Sequence, residues 1–267
     1  QLMESFDGLG LSGQLVEAIR QLGFEKPTPI QEKAIPMLLK GNVDLVGLAQ
    51  TGTGKTAAFG LPLLQLVDES NRSTQALIIA PTRELSVQIT SDLDRFASSF
   101  KKLNIVTVYG GASISEQISK IRRGAQIIVA TPGRLMDLLS RKVVNLTSIQ
   151  FVVLDEADEM LNMGFKEDID EILSTTPKEK NVWLFSATMP KEVREISKNY
   201  MRNPEEITMG ERNQGNENID HQYIVVDERD KYSALKRVVD YIPDIYGVIF
   251  CRTKIDTQKI AEHLIKD

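Results

Sequence analysis

Between Asp44 and Met209, short runs of Val, Ile and Leu alternate with longer stretches whose apolar positions recur at helical spacing. The runs Asp44 to Leu48, Ala76 to Ala80, Ile105 to Tyr109, Gln126 to Ala130, Phe151 to Leu154 and Val182 to Phe185 are apolar at successive positions. Strands buried on both faces of a parallel sheet have that character. Between them, Leu135, Leu138 and Leu139 after Pro132-Gly133, and Ile169, Ile172 and Leu173, predict helices that cover the sheet. The fold class expected is α/β, a doubly wound parallel sheet with helices on both faces. Ahead of it, Ser12 is placed to cap a helix carrying Leu15, Val16, Ile19 and Leu22 and ended by Gly23, and a second helix is expected over Ile30 to Leu39.

After Met209 the pattern breaks. Gly210 to Asn218 holds no large apolar residue and predicts an interdomain linker. Strands are then expected at Gln222 to Val226 and Gly247 to Cys251, with helices around Leu235, Val238 and Val239 and from Lys254 onward. The organisation expected is one domain over 1–209, a linker over 210–219 and the beginning of a second domain over 220–267. Gln1 at the start and an unfinished β-α pattern at the end suggest a piece of a longer polypeptide.

The 267 residues are 42% apolar and 26% charged, with a formal net charge of −5, so a disordered chain is not expected. No apolar run approaches the ~18 residues of a membrane span and no signal peptide is evident, which predicts a cytoplasmic protein without a membrane partner. The single cysteine, Cys251, excludes an internal disulfide and any multi-thiolate metal centre, and two histidines offer little to zinc. The acidic total argues against non-specific coating of nucleic acid but leaves room for a local basic track. The basic residues Lys120, Arg122 and Arg123 are expected to form a solvated helix face, and Met160, Leu161 and Met163 to lie in the core.

Ala49 to Thr56 reads A-Q-T-G-T-G-K-T between a predicted strand and a helix that starts near Lys55. That is the context of a phosphate-binding loop. Gly52, Thr53 and Gly54 can turn backbone N–H groups inward around an anion, Lys55 can reach the β- and γ-phosphates, and Thr56 can offer its hydroxyl to Mg²⁺. Ala49 replaces the usual first glycine, which is tolerable if no positive φ is needed there. Asp155 and Glu156 close a strand whose carboxyl end faces the same crevice. One carboxylate could hold Mg²⁺ through its waters while the other orients or deprotonates an attacking water. An acidic helix N-terminus would account for the same residues.

Asp155-Glu156-Ala157-Asp158 after that loop, with Ser186-Ala187-Thr188 beyond the next strand, resembles the DEAD-box family of ATP-dependent RNA helicases of superfamily 2. Gly23-Phe24-Glu25-Lys26-Pro27-Thr28-Pro29-Ile30-Gln31 is similar to its Q motif, with Phe6 as the upstream aromatic. Pro81-Thr82-Arg83-Glu84-Leu85, Gly110-Gly111 and Thr131-Pro132-Gly133-Arg134 resemble its RNA-contacting segments, and Val248-Ile249-Phe250 the opening motif of its second domain. Ala49 is also what this family shows in the loop.

The resemblance implies RecA-like domains, with ATP and Mg²⁺ as cofactors. Gln31 would read the adenine edge, with Phe24 on the base and Thr28 beside it; a carboxamide supplies the donor and acceptor that N7 and N6 require. Lys55 and Thr56 would hold phosphate and Mg²⁺, Asp155 the hydrated ion, and Glu156 would activate water. Ser186 and Thr188, bonded to Asp158, would couple nucleotide state to the domain interface, with Phe250 contributing from the second domain. Arg83, Gly110, Gly111, Thr131 and Arg134 would contact successive phosphates of single-stranded RNA or a short duplex without reading sequence. The expected protein is a monomeric RNA-dependent ATPase that separates short duplexes or remodels RNA-protein complexes; protein partners are not indicated. These residues alone are expected to bind nucleotide and hydrolyse it poorly, because the family's second domain supplies arginines to the γ-phosphate. Alternatives are an ATP-gated RNA clamp, a DNA helicase or translocase on the same plan and, last, a P-loop kinase.

Overall fold

The computed structural model describes residues 5–209, 222–242 and 245–266. The chain divides into two compact units, Gln1–Gln214 and Gly215–Asp267. In the first, seven strands form one sheet: β1 Leu45–Leu48, β2 Ala76–Ile79, β3 Ile105–Val108, β4 Ile127–Ala130, β5 Phe151–Leu154, β6 Asn181–Ser186 and β7 Glu205–Thr208. Their order is β3-β4-β2-β5-β6-β1-β7, and every pairing is parallel.

The helices of this unit are α1 Gly13–Gln21, α2 Pro29–Leu38, α3 Lys55–Leu66, α4 Arg83–Phe96, α5 Ile114–Arg122, α6 Pro132–Ser140, α7 Ala157–Asn162, α8 Lys166–Thr175 and α9 Lys191–Tyr200. Side chains alternate across a strand, so a continuous apolar run feeds two cores. Ala76 and Ile78 of β2, with Trp183 and Phe185 of β6, meet Leu15 of α1, Ile30 of α2, Leu61 of α3 and Ile89 of α4 on one face. Leu77 and Ile79, with Val182 and Leu184, meet Leu135 of α6, Met160 of α7, Ile172 of α8 and Ile196 of α9 on the other. The sheet is therefore doubly wound, as the alternating pattern predicts.

Local sequence sets where the helices begin. The Ser12 hydroxyl accepts from the Leu15 amide at 3.3 Å and starts α1. At the amino end of β1 Asp44 acts as a staple: its carboxylate accepts from the amides of Val182 and Arg202, at 2.9 and 2.5 Å, and its carbonyl from Glu205 at 2.9 Å. These bonds bring in β7, an edge strand in which only Ile207 is buried. Met160 is buried and Leu161 half-buried against the core, but Met163 is 47% exposed, which corrects its expected core position. The physical reason is that α7 ends at Asn162, Met163 caps it, and Gly164 at φ +87° turns the chain away.

The second unit holds α10 Lys231–Tyr241 and α11 Lys254–Lys266, as the sequence predicts, with the Tyr232 and His263 rings edge to face at 4.9 Å. The strands expected at Gln222 to Val226 and Gly247 to Cys251 do not form: neither run finds a ladder partner among the described residues. Tyr223, Val225, Val248 and Phe250 stand exposed there. An apolar run becomes a strand only when its backbone groups are paired. The expected linker at 210–219 lies outside the described residues.

Candidate functional site

The strand order gathers the predicted residues at one edge of the sheet. Ligand crevices of open parallel sheets lie at the strands' carboxyl ends. Here β1, β6 and β5 are neighbours, and their ends lead into the loop before Lys55, into Ser186, and into Asp155 and Glu156. On the other side β2, β4 and β3 lead into Arg83, Thr131 and Gly110. One edge thus presents two adjoining sets of three loops.

In the first set, Gly52 and Gly54 take φ of +82° and +86°, whereas Ala49 is not among the residues at positive φ, so alanine there costs no backbone strain. The Lys55 Nζ lies 3.5 Å from Asp155 Oδ1, with both side chains more than nine-tenths buried. Burial pushes the Asp155 carboxyl above the ordinary carboxylate range, and the Lys55 charge opposes that rise. The Glu156 amide donates to the same Asp155 oxygen at 3.0 Å. Glu156 is half-buried and caps α7 from the left-handed region, φ 51° and ψ 51°, a conformation that costs a non-glycine residue roughly 1–2 kcal/mol. Its carboxyl is also raised, by burial first and then by the charges of Asp155, Asp158 and Glu159. The Thr51 hydroxyl approaches Glu156 Oε1 at 3.5 Å.

Between β5 and β1, the Ser186 hydroxyl accepts from the Asp158 amide at 3.2 Å. Asp158 Oδ2 accepts from the Thr188 amide at 3.0 Å and from its hydroxyl at 2.8 Å. The end of β6 is thereby tied to the first turn of α7. Gln31 is buried: its Oε1 accepts from the Thr28 amide at 2.9 Å and its Nε2 donates to the Gly54 carbonyl at 3.1 Å. It therefore links the start of α2 to the phosphate loop. Among the described residues the Thr28 hydroxyl is buried without a hydrogen-bond partner. Phe24 is half-buried, edge to face with Phe6 and Phe96 at 6.3 and 5.6 Å.

In the second set, Arg83, Gly110, Thr131 and Arg134 line one groove of about 420 Å³ together with Pro81 and Phe165. Gly111 sits beside it at φ +79°, with open space where a Cβ would project. Two residues with no signal in the sequence complete this set. The Arg83 guanidinium lies 4.8 Å over the Tyr109 ring. Gln117 is buried, brackets Tyr109 through that residue's amide and carbonyl at 3.2 and 3.1 Å, and accepts from Arg134 Nη1 at 2.9 Å. Arg134 also donates to the Ala112 carbonyl at 3.2–3.3 Å. The Arg134 contacts join residues 17 and 22 positions apart, invisible to any local pattern. Phe250, the one candidate in the second unit, is 92% exposed and lines a groove of about 540 Å³ with Tyr232, Ile249 and His263.

A doubly wound parallel sheet with a Gly-Lys-Thr loop and an acidic pair at neighbouring strand ends is the architecture of P-loop nucleotide-binding proteins. The family model for DEAD/DEAH box helicases matches residues 28–196. The chain belongs to that family. It is 45% identical over 260 residues to the ATP-dependent RNA helicase DeaD of Mycobacterium tuberculosis, covering 97% of this chain and 46% of that protein. It is 44% identical to the DEAD-box ATP-dependent RNA helicase CshA of Geobacillus kaustophilus, covering 98% and 56%. The crystal structure of a DEAD box protein from the hyperthermophile Methanococcus jannaschii superposes with a TM-score of 0.75 at 41% identity, covering 100% of this chain and 71% of that one. The chain spans about half the length of the curated relatives it matches. Among the described residues, no helix is long and apolar enough to cross a membrane.

Proposed function

We propose that this chain is the ATP-binding half of an ATP-dependent RNA helicase, which couples nucleotide turnover to local duplex separation or remodelling of RNA-protein complexes. The observation that carries the reading is the shared edge: Lys55 against Asp155 and Asp158 tied to Ser186 and Thr188 on β1, β5 and β6, beside the arginine-lined groove on β2, β3 and β4. The amides of Gly52 to Thr56 cradle the phosphates and Lys55 is aimed by Asp155. The half-buried Glu156, with its raised carboxyl, takes the proton of the attacking water more readily than an ordinary carboxylate. Gln31, already fixed on Gly54, ties recognition of the base to the shape of the loop.

Among the described residues, no group of three or more His, Cys, Asp or Glu could hold a metal. Thr56 and Asp155 supply only two hard oxygens, which suits Mg²⁺, an ion that keeps several waters and takes its remaining ligands from phosphate. Bound with ATP, it would supply charge neutralisation at the β- and γ-phosphates. Arg83, Arg134, Thr131, Gly110 and Gly111 take RNA phosphates, positioning the strand without reading it.

These 267 residues bind nucleotide and turn it over slowly, because arginines that would reach the γ-phosphate are expected from the family's second domain. The test is ATP hydrolysis by this chain and by the complete protein, each alone, with single-stranded RNA and with single-stranded DNA. Turnover only by the complete protein, and only with RNA, is the expected result. Equal stimulation by DNA would transfer the assignment to a DNA translocase. ATP binding without any stimulation would transfer it to a nucleotide-gated RNA clamp.

A further inference from the structure

Three loops meet at the amino ends of β2, β4 and β3, the opposite end of the sheet from the groove. Gln126, only 2% exposed, stitches them: its Nε2 donates to the carbonyls of Glu69 and Lys102 at 3.0 and 3.1 Å, and its Oε1 accepts from the Asn104 amide at 2.9 Å. Gly124 packs on Arg72, whose Cβ and carbonyl would lie 3.6 Å from a side chain at that position. This stitching brings six exposed cations to one end of the unit: Arg72, Lys101, Lys102, Lys120, Arg122 and Arg123. Among the described residues none of the six forms an ion pair. Of the nearby acids, Asp68 accepts from the Ser70 amide and hydroxyl and Glu69 from the Lys102 amide, while Glu116 stands in the first turn of α5, away from the cations at its end.

A solvated helix face explains Lys120, Arg122 and Arg123, and cations in the last turn also suit the helix dipole. It does not explain three further cations delivered from two other loops of a chain whose net charge is −5. A groove of about 500 Å³ runs along α5, lined by Ser115, Ile118, Ser119, Arg122 and Arg123, positions that recur on one helical face. α5 starts beside Ala112, the residue that Arg134 holds, and ends at the cations. Nine residues of helix rise ~13 Å, which carries a strand laid along α5 from Ala112 to the cations.

We infer that the α5 groove and the six-cation cluster at its end form a second phosphate-binding track, which takes the RNA backbone after it leaves the groove at Arg134. Two serine hydroxyls, two arginine forks and a single aliphatic side chain match phosphate oxygens. An interface with a folded protein would call for aromatic anchors, and membrane insertion for a broader apolar face.

The inference rests on RNA binding at the Arg134 groove, and the test separates the two. Binding of labelled RNA oligomers to this chain is measured against salt, with one of about four nucleotides that fills only the groove and one of about twenty. The variant Lys120→Gln, Arg122→Gln, Arg123→Gln is expected to hold the short oligomer within about twofold of the parent. For the long oligomer its log-log salt slope is expected to be shallower by about two, so that between about 50 and about 200 mM salt the parent loses roughly twentyfold more affinity than the variant. The charge-keeping variant Lys120→Arg, Arg122→Lys, Arg123→Lys should follow the parent, and circular dichroism checks that all three are folded. An unchanged slope for the long oligomer in the neutralised variant overturns the track. Separately, Arg134→Ala should weaken both oligomers; if it weakens neither, the groove assignment falls while the slope comparison still decides the track.

Discussion

Glu156 carries three burdens at once: a left-handed backbone, partial burial and the proximity of Asp155, Asp158 and Glu159. Because its carboxyl is raised in the folded state, its favourable contribution is complete below the unfolded value of about 4.3 and is lost as pH rises through the folded value. At neutral pH the ionised side chain therefore works against the fold. Glu156→Gln should raise the melting temperature at pH 7, with the difference closing toward pH 4, while ATP binding persists and hydrolysis by the complete protein is lost. Equal melting temperatures at both pH values would dispose of the electrostatic part of that account. Gly54 shows the opposite sort of constraint. A Cβ there would lie 2.5 Å from Gln31 Nε2 and 3.0 Å from the Thr28 hydroxyl, at φ +86°. Gly54→Ala should lower stability by about 1–3 kcal/mol and weaken nucleotide binding to the extent that Gln31→Ala does. Urea midpoints and titration with a fluorescent ATP analogue check both, and an unchanged midpoint would refute the steric argument. Gly52, Gly54 and Lys55 declare themselves through a contiguous motif. Gln117 and Tyr109 do not, because what gives them a place in the groove is a bond and a ring contact made across the fold.

At the scale of elements, two glycines let neighbours approach, and the fates of their alanine variants should differ. A Cβ on Gly47 of β1 would sit 2.7–2.8 Å from the ring of Phe185 on β6, a fully buried side chain that itself packs on Phe59 at 5.4 Å. On Gly60 of α3 it would meet one methyl of Leu93 on α4 at 2.7 Å, the far end of a flexible side chain. Gly47→Ala should cost about 1–3 kcal/mol through overpacking, whereas Gly60→Ala should fall near neutral because roughly 1 kcal/mol of helix propensity offsets the shift of Leu93. Urea denaturation of the two variants measures this, and equal midpoints would count against the distinction. The same physics explains which elements are legible in the sequence. β2, β4 and β5 are buried on both faces and register as unbroken apolar runs. β7 offers only Ile207 to the core and is held by its ladder with β1 and by Asp44, so its sequence carries no periodicity to find. The runs at Gln222 to Val226 and Gly247 to Cys251 have strand composition but no ladder among the described residues, since composition proposes a strand and pairing makes one. Strand order is likewise a property of non-local contacts. Until it is known, three motifs at three strand ends need not be neighbours.

For the molecule as a whole, the two units differ in what holds their backbones. In the first, β2, β4, β5 and β6 lie between two apolar cores and have partners on both edges, so their amides should open only when the whole unit does. In the second, neither helix buries a residue. α10 and α11 are 11 and 13 residues long, at or below the ~12–15 at which an isolated helix is marginal in water, so propensity and a few side-chain pairs such as Lys236 with Asp240 supply most of their stability. Hydrogen exchange followed by mass spectrometry should therefore find the peptides of 231–241 and 254–266 exchanged within seconds, while those of 76–79 and 151–154 stay protected for hours under the same conditions. Addition of ATP with Mg²⁺ should slow exchange in the segments around Gln31, Lys55 and Glu156, whose bonds already join the phosphate loop to α2 and β5, and leave α10 and α11 as they were. Protection of α10 and α11 equal to that of the sheet would show that the second unit is stabilised by more than its own helices. Protection that rises there when nucleotide binds would show that it senses the phosphate site.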